Sequence, residues 1–467
     1  MNELSIELHM DSNKYLYEQI YEHIKNEIRA GKLLQGEKLP STRSLAGFLQ
    51  ISRSTVDLAY EQLISEGYVE SKPYRGYYIC PVEDLFLIPL VTPEEKETVA
   101  KSISNCKYDF SPNGIEMRAF PLATWRKISK STLNDDRKQL FQLGNPRGDV
   151  ELRATIGRYL HSSRGVVSET EQIIVGAGND YLLMLLKYVL GDHCRIAMEN
   201  PTYMRAYRIF KSFGYEVSGI SMDDSGININ ELNQCEANVA YVMPSHQYPT
   251  GIVMPIGRRM ELLKWAGENE DRYLIEDDYD SEFRYRGKPI PALQASDCNE
   301  KVIYMGTFSK SIAPAIRVSY MVLPKKLLKI YIRECSFFSS TVSRLDQSIL
   351  NEFIRDGYFE RYLNKMRKIY KGKHDVLMQG LKQFDEHFIV SGENGGLHIL
   401  LENKGTETED ELIEKAARQG VKVYGLKDAS IGERKHSHSK ATVILGYAGL
   451  LENEIEDGLD KLKKAWL

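Results

Sequence analysis

The sequence predicts an α/β protein: an N-terminal winged helix-turn-helix, then a long region built on a mostly parallel sheet. Three observations predict it. Residues 1–80 read as three helices followed by a hairpin. From Asp109 onward, short β-branched runs alternate with helical patterns, as in a parallel sheet covered by helices. Chemically able residues recur where those runs end, which is where open α/β sheets bind ligands.

The first helix lies within 13–31, where Leu16, Ile20, Ile24 and Ile28 fall four apart and Gly31 marks the stop. A second, 41–49, has Ser41 as N-cap and turns Leu45, Ala46 and Leu49 inward. After a tight turn at Gln50-Ile51, Ser52 caps a third helix, Arg53 to Glu66, that buries Val56, Ala59, Tyr60 and Leu63. Residues 68–72 and 75–79 then form a hairpin through Pro73-Tyr74. Acidic residues slightly outnumber basic ones over 1–80, so placement matters more than sum. Arg43 and Arg53 sit at helix starts and Lys72 and Arg75 on the wing, while Glu61, Glu66 and Glu70 are expected to face elsewhere. Arg53, Ser54 and Thr55 open the third helix, where a recognition helix meets base edges and phosphates. The alternative is a three-helix dimerisation module with a solvated basic edge.

A net charge of −4 means that nucleic-acid binding must come from such a local patch. Length alone suggests about two to four domains. No apolar run approaches the ~18 residues of a membrane helix, and the acidic start lacks a signal-peptide pattern, so a cytoplasmic protein without membrane contact is expected. Six scattered cysteines with no Cys-x-x-Cys pair point to reduced thiols rather than disulfides or zinc. His436 and His438 fall in a polar run that reads as a loop, and no metal is expected. Between residues 81 and 108 the periodicity weakens, with Pro89, Pro93 and a charged run, which reads as a linker with room for one short helix.

In the long region, strands are expected at 172–175, 195–198, 239–243, 273–275 and 302–304, and helices at 154–160 and 181–189. Gly306 and Thr307 are expected to break the last strand, and Ser309-Lys310 to sit where it meets a loop. A lysine at the end of a core strand is desolvated, which lowers its pKa and makes its amine nucleophilic. Ser309 and Arg317 bracket it with phosphate-binding groups. An amine for a Schiff base flanked by phosphate ligands suggests pyridoxal phosphate. The other strand ends supply partners: Asp277 for a pyridine nitrogen, Tyr279 two residues on for the 3′ oxygen, and Tyr203 for stacking. Gly178-Asn179 opens a helix whose free N–H groups suit a phosphate.

Leu39-Pro-Ser-Thr-Arg-Ser-Leu-Ala46, Ile51-Ser-Arg-Ser-Thr-Val56 and Leu63-Ile-Ser-Glu-Gly-Tyr-Val69 resemble the DNA-binding domain of GntR-type bacterial regulators. By that resemblance Arg43, Ser52, Arg53, Thr55, Lys72, Arg75 and Gly76 correspond to DNA-contacting positions. Residues 109–467 resemble class I aminotransferases of pyridoxal phosphate fold type I, through Pro244-Ser-His-Gln247, Ile275-Glu-Asp-Asp-Tyr-Asp-Ser-Glu-Phe283 and Tyr304-Met-Gly-Thr-Phe-Ser-Lys-Ser311. The two together resemble the MocR/GabR family. The resemblance implies a large cofactor-binding domain over 109–334 and a C-terminal part, 335–467, that includes the small domain. It implies that Lys310 forms the internal aldimine, that Asp277, Tyr279 and Tyr203 hold the ring, and that Gly178, Asn179, Ser309 and Arg317 hold the phosphate. Arg205 and Lys427 then fall at carboxylate-binding positions for an amino-acid or amine effector, with lysine in place of an arginine. Tyr248 replaces the second asparagine of the aminotransferase Asn-Pro-x-Asn-Pro-Thr-Gly motif, which implies a domain without efficient transaminase turnover. The implied function is a pyridoxal phosphate-dependent transcriptional regulator, a head-to-tail homodimer on promoter DNA that senses an amino-acid or amine effector (GABA-like, another amino acid, or pyridoxal phosphate itself) by aldimine exchange at Lys310. The alternative is an active aminotransferase with an appended DNA-binding module.

Overall fold

The computed structural model describes residues 6, 8, 9, 14–81, 106–285, 289–432 and 440–467. The chain divides into two compact units, Met1–Ile103 and Ser104–Leu467.

In the first unit, α1 (Leu16–Arg29) buries Ile20, Ile24 and Ile28, the four-residue stripe of the sequence. Helix α2 (Thr42–Leu49) starts where the Ser41 hydroxyl accepts from Ser44 N at 3.1 Å. It ends at Gln50, whose φ of 56° is left-handed and turns the chain sharply. Ser52 then accepts from Thr55 N at 3.3 Å and starts α3 (Arg53–Ser65). Val56, Ala59, Tyr60 and Leu63 of α3 meet the α1 stripe in one core. Strands β1 (Val69–Lys72) and β2 (Gly76–Ile79) pair antiparallel, with Val69 opposite Ile79 and Lys72 opposite Gly76. This is the winged helix-turn-helix that the sequence predicts.

The first strand of the second unit among the described residues is β3 (Tyr108–Asp109). The short helix expected earlier in the linker, and the loop at His436 and His438, lie outside the described residues. The main sheet comprises β4 (Ile173–Gly176), β5 (Arg195–Asn200), β6 (Glu216–Asp223), β7 (Gly226–Ile227), β8 (Val239–Val242), β9 (Tyr273–Asp278), β10 (Val302–Thr307) and β11 (Ser319–Val322). Its order is β4-β11-β10-β9-β8-β5-β6-β7. Strands β10, β9, β8, β5 and β6 run parallel, and β11 runs antiparallel between β10 and β4. Five of these strands match the predicted runs; β11 follows a helical turn with no crossover helix, and no sequence signal pointed to it. The central strands are buried on both faces, which is why they read as continuous apolar runs. Two buried clusters lie on opposite sides of the sheet, one holding Ile275, Ile303 and Met305 and the other Leu274, Val302 and Trp265.

The C-terminal part packs the long helix Tyr358–Leu381 and helix Glu452–Trp466 on a second sheet. That sheet is antiparallel: β12 (Phe388–Ser391), β13 (His398–Asn403), β16 (Thr442–Gly446) and β15 (Tyr424–Gly425), in that order. Strand β14 (Val421–Lys422) pairs parallel with β3 instead, which ties the start of this unit to its end.

Candidate cofactor pocket and nucleic-acid interface

Strand ends β4, β5, β8, β9 and β10 surround a cleft that opens to solvent at its mouth. Its walls include Asn179, Tyr203, Arg205, Asp277, Tyr279, Ser309, Lys310 and Arg317. Residues spread over more than a hundred positions therefore meet at one place. Gly306 and Thr307 do not break the strand, since β10 runs on to Thr307, and Phe308–Ser311 is one helical turn, so Lys310 sits on that turn where a loop was expected to begin. Thr307 caps the turn, accepting from Ser309 N at 3.1 Å.

The Lys310 ammonium donates to Pro112 O at 2.9 Å. Burial lowers its pKa to about 8, partly offset by the Asp280 charge. A much larger share of the amine is therefore neutral near pH 7 than for a solvated lysine. Asp277 is buried, and burial pushes its carboxyl up to about 7 against the hydrogen bonds that favour its ionised form. It accepts from the Tyr241 hydroxyl and from Asn179 Nδ2 at 3.4 Å. Strand alternation sends its neighbours the other way. Asp278 takes Arg164 Nε at 2.7 Å, and Glu276 takes the N–H groups of Leu293 and Gln294. Only Asp277 of the three carboxylates lines the cleft.

Helix Asn179–Leu190 begins at Gly178, whose φ of 90° and whose closeness to the Arg317 guanidinium leave no room for a Cβ. Arg317 and Arg205 each reach Asp180 Oδ2 at 3.3 Å. Tyr203 stands at the rim, its ring perpendicular to Tyr248 at 6.2 Å. Asn113, Asp180, Thr307, Met243 and Tyr248 also line the cleft. Sequence reasoning gave none of the first four a place in the site. Asn113 lies in a Ser-Pro-Asn-Gly turn that carries no chemical signature of its own, and Asp180 is one step past the Gly178-Asn179 pair. Tyr241 shows as the one phenol inside an otherwise apolar strand.

Lys427 is not brought to the cleft. Its side chain is 66% exposed and its ammonium faces Asp410 at 3.4 Å. It lies on the turn Lys427–Ala429, whose backbone is held by Glu409. The expected place against an effector carboxylate is not one the cleft shows here: the turn carries this side chain toward solvent and Asp410.

On the winged helix, Arg43, Ser52, Arg53, Lys72 and Arg75 are exposed, and Thr55 and Gly76 partly so. The Ser52 hydroxyl caps α3 and contacts the hydroxyls of Ser54 and Thr55 at 2.9 and 2.7 Å. Arg53 leans on Asp57 at 3.4 Å. Of the acids expected to face elsewhere, Glu66 does so, bound by Lys25 and Tyr21. Glu70 does not: it pairs with Lys72 at 2.8 Å, because residues two apart share one face of a strand.

A family model for aminotransferases of class I and II matches residues 115–440. A model for bacterial regulatory proteins of the gntR family matches residues 16–79. The chain is 42% identical over 456 residues to the HTH-type transcriptional regulator YdeL of Bacillus subtilis (strain 168), covering 97% of this chain and 96% of the relative. It is 31% identical over 485 residues to the probable rhizopine catabolism regulatory protein MocR of Rhizobium meliloti, covering 98% and 95%. The chain belongs to the MocR/GabR family of transcriptional regulators. Its second unit resembles the multiple substrate aminotransferase of Thermococcus profundus, at 25% identity and a TM-score of 0.69, over 78% of this chain and 92% of that one. As a GntR-type regulator it binds DNA, and its aminotransferase domain is of the pyridoxal phosphate-dependent fold. The cleft fits that cofactor. Asn179 Oδ1 and Ser309 Oγ are enclosed there without a hydrogen-bond partner among the described residues. Buried polar atoms left so are costly unless a ligand completes them. Among the described residues no helix is long and apolar enough to cross a membrane, and no acidic, histidine or cysteine group could hold a metal.

Proposed function

We propose that this regulator senses an amino-acid or amine effector in the Lys310 cleft and transmits its occupancy to promoter DNA held by the winged helix. One observation carries the reading: a lysine amine of lowered pKa shares one cleft with a buried carboxylate and two arginines. Bound there, pyridoxal phosphate supplies an aldehyde that reacts reversibly with primary amines and a ring that withdraws electrons. Lys310 is the protein's own amine for that carbonyl carbon, and an effector amine competes with it. Asp277 is the carboxylate for the ring nitrogen, Tyr279 the phenol for the 3′ oxygen and Tyr203 the aromatic face. The N-terminus of helix Asn179–Leu190, with Gly178, Asn179, Ser309 and Arg317, holds the phosphate. Arg205, now on Asp180, is the cation for an effector carboxylate. Arg43, Ser52, Arg53, Thr55, Lys72, Arg75 and Gly76 form the DNA face.

The working form we propose is a cytoplasmic head-to-tail homodimer with one paired site per recognition helix. Phe141, Leu143 and Phe337 stand 72%, 90% and 75% exposed on the second unit, apolar surface that a second copy would cover. The effector shifts DNA binding only through its different affinities for the two states of the dimer. Titrating the cofactor-loaded protein with a panel of amino acids, while following absorption and operator binding together, tests this. Matching midpoints support the reading; an absorption change with no effect on DNA binding overturns it.

A second reading is favoured by the completeness of the cofactor set: an active aminotransferase carrying a DNA-binding module. Multiple turnovers between an amino donor and a keto acid, with operator binding blind to both, would establish it.

A further inference from the structure

His246 belongs to no role assigned so far. Its ring lies beneath Tyr279, with Nδ1 3.0 Å from the Tyr279 hydroxyl and 3.1 and 3.0 Å from the two Asp280 oxygens. Imidazole and carboxylate are both buried, at 6% and 3% exposure. The ring occupies space kept open by Gly396, whose φ is 75° and where any Cβ would overlap the imidazole. Its Nε2 is buried without a partner among the described residues.

An ionised carboxylate only accepts, so Asp280 holds the ring proton on Nδ1. A second proton on Nε2 would be buried without an acceptor. With Nδ1 already protonated, Tyr279 cannot donate to it. Burial and the Asp280 charge hold the Tyr279 phenol well above its usual pKa, so it keeps its proton. Asp280 also accepts from this phenol, and a cofactor oxygen in the cleft, which Tyr279 lines beside Asp277 and Lys310, competes for the same proton. We infer that His246 and Asp280 are a positioning pair that fixes Tyr279 as a hydrogen-bond donor to the cofactor's ring oxygen. In this chain Tyr248 stands where aminotransferases carry an asparagine for that oxygen, and its ring meets Tyr279 edge-on at 6.1 Å.

The other charged or titratable groups facing the pair have partners of their own. Lys310 donates to Pro112 O, Asp277 takes Tyr241 and Asn179, and Arg164 holds Asp278. His398, its ring 5.6 Å from His246, gives Nε2 to Pro249 O at 2.8 Å, and burial lowers its pKa to about 4. Arg284 lines the small cavity on the far side of His246.

The inference rests on the proposed assignment of the cleft to pyridoxal phosphate, and its test separates the two. A donor on the ring oxygen weakens proton binding at the nitrogen conjugated with it. In full-length, cofactor-loaded protein, His246→Phe is therefore expected to raise the midpoint of the pH-dependent absorption change by about one pH unit. Asp280→Asn should move it the same way, and His246→Asn, whose amide places a donor near Nδ1, should restore it. A wild-type midpoint in His246→Phe, or His246→Asn as displaced as His246→Phe, overturns the inference. If His246→Phe takes up no cofactor, Asp280→Asn decides: a raised midpoint supports the pair and an unmoved one sinks it. Nitrogen NMR of histidine-labelled, cofactor-free protein probes the tautomer directly: a proton on Nδ1 supports the pair, and one on Nε2 instead overturns it. Colourless wild-type protein would instead remove the cofactor assignment itself.

Discussion

Arg53 stands in solvent at the first turn of α3, its side chain 67% exposed beside Asp57. Lys310 stands in the cleft, its ammonium on a backbone carbonyl and its pKa lowered to about 8 by burial. The two cations belong to one chain and serve opposite physics. The arginine stands in solvent, where salt screens its attraction to a charged partner. The lysine is useful because its charge is costly. A surface cation needs only a helix start to hold it; a reactive amine needs the sheet, the Pro112 segment and the walls that exclude water.

Breaking that contrast begins with the largest effect. Lys310→Ala should abolish the visible absorption of the cofactor-loaded protein altogether, and a band kept at the same wavelength would assign the amine elsewhere. Asp277→Asn should weaken cofactor binding by roughly ten- to a hundredfold, the scale of a charged hydrogen bond in a buried site. Fluorescence titration measures it, and a change under twofold would mean that this carboxylate behaves as a surface group. Arg53→Ala should weaken operator binding about tenfold and leave cofactor uptake unchanged. If Arg53 meets a phosphate, the salt slope also falls by about one; an unchanged gel shift removes it from the interface.

The pH dependence of the cofactor-free protein sharpens the comparison further. Asp277, Glu276 and Glu282 are each raised by burial to about 7, so their burial costs stability as pH climbs from the ordinary carboxylate range to 7. Lys310 is lowered, so its cost is present below pH 8 and is relieved between about 8 and 10.5. Thermal unfolding should therefore fall by a few degrees on the first leg and recover partly on the second. Lys310→Met should flatten the recovery; an identical profile would show that the amine is solvated. Smallest of all, Lys427→Arg should change effector affinity by less than about twofold, because an exposed ion pair contributes little. A tenfold gain would bring the turn Lys427–Ala429 back to the effector.

Most of the first unit was legible because its signals are local. Ser41 and Ser52 cap their helices by accepting from N–H groups three residues on, and the stripe from Leu16 to Ile28 repeats at helical spacing. In the second unit the strand runs were legible for the same reason, and with them the positions of Asp277, Tyr203 and Lys310 at strand ends. Asn113 was not, since it reaches the cleft through a turn almost two hundred residues from Lys310. His246 lies within a family motif yet showed no task in sequence, because its meaning depends on Asp280, which only the β9 turn sets beneath it. Glu70 was misplaced, and Lys427 stands off the cleft, for a related reason. A charge read from sequence has a position but no direction, and the direction came from strand alternation in one case and a helical turn in the other.

By itself, then, the amino-acid order determined which segments are helix or strand, where each strand delivers its chemical residue, and that a DNA-type module precedes a lysine-bearing one. Those properties follow from neighbours within a few residues. The folded sheet decided which of those residues meet, that only Asp277 of three adjacent carboxylates faces the cleft, and that Lys310 loses much of its affinity for a proton. Burial is set by atoms distant along the chain, so reactivity is a property of the tertiary structure.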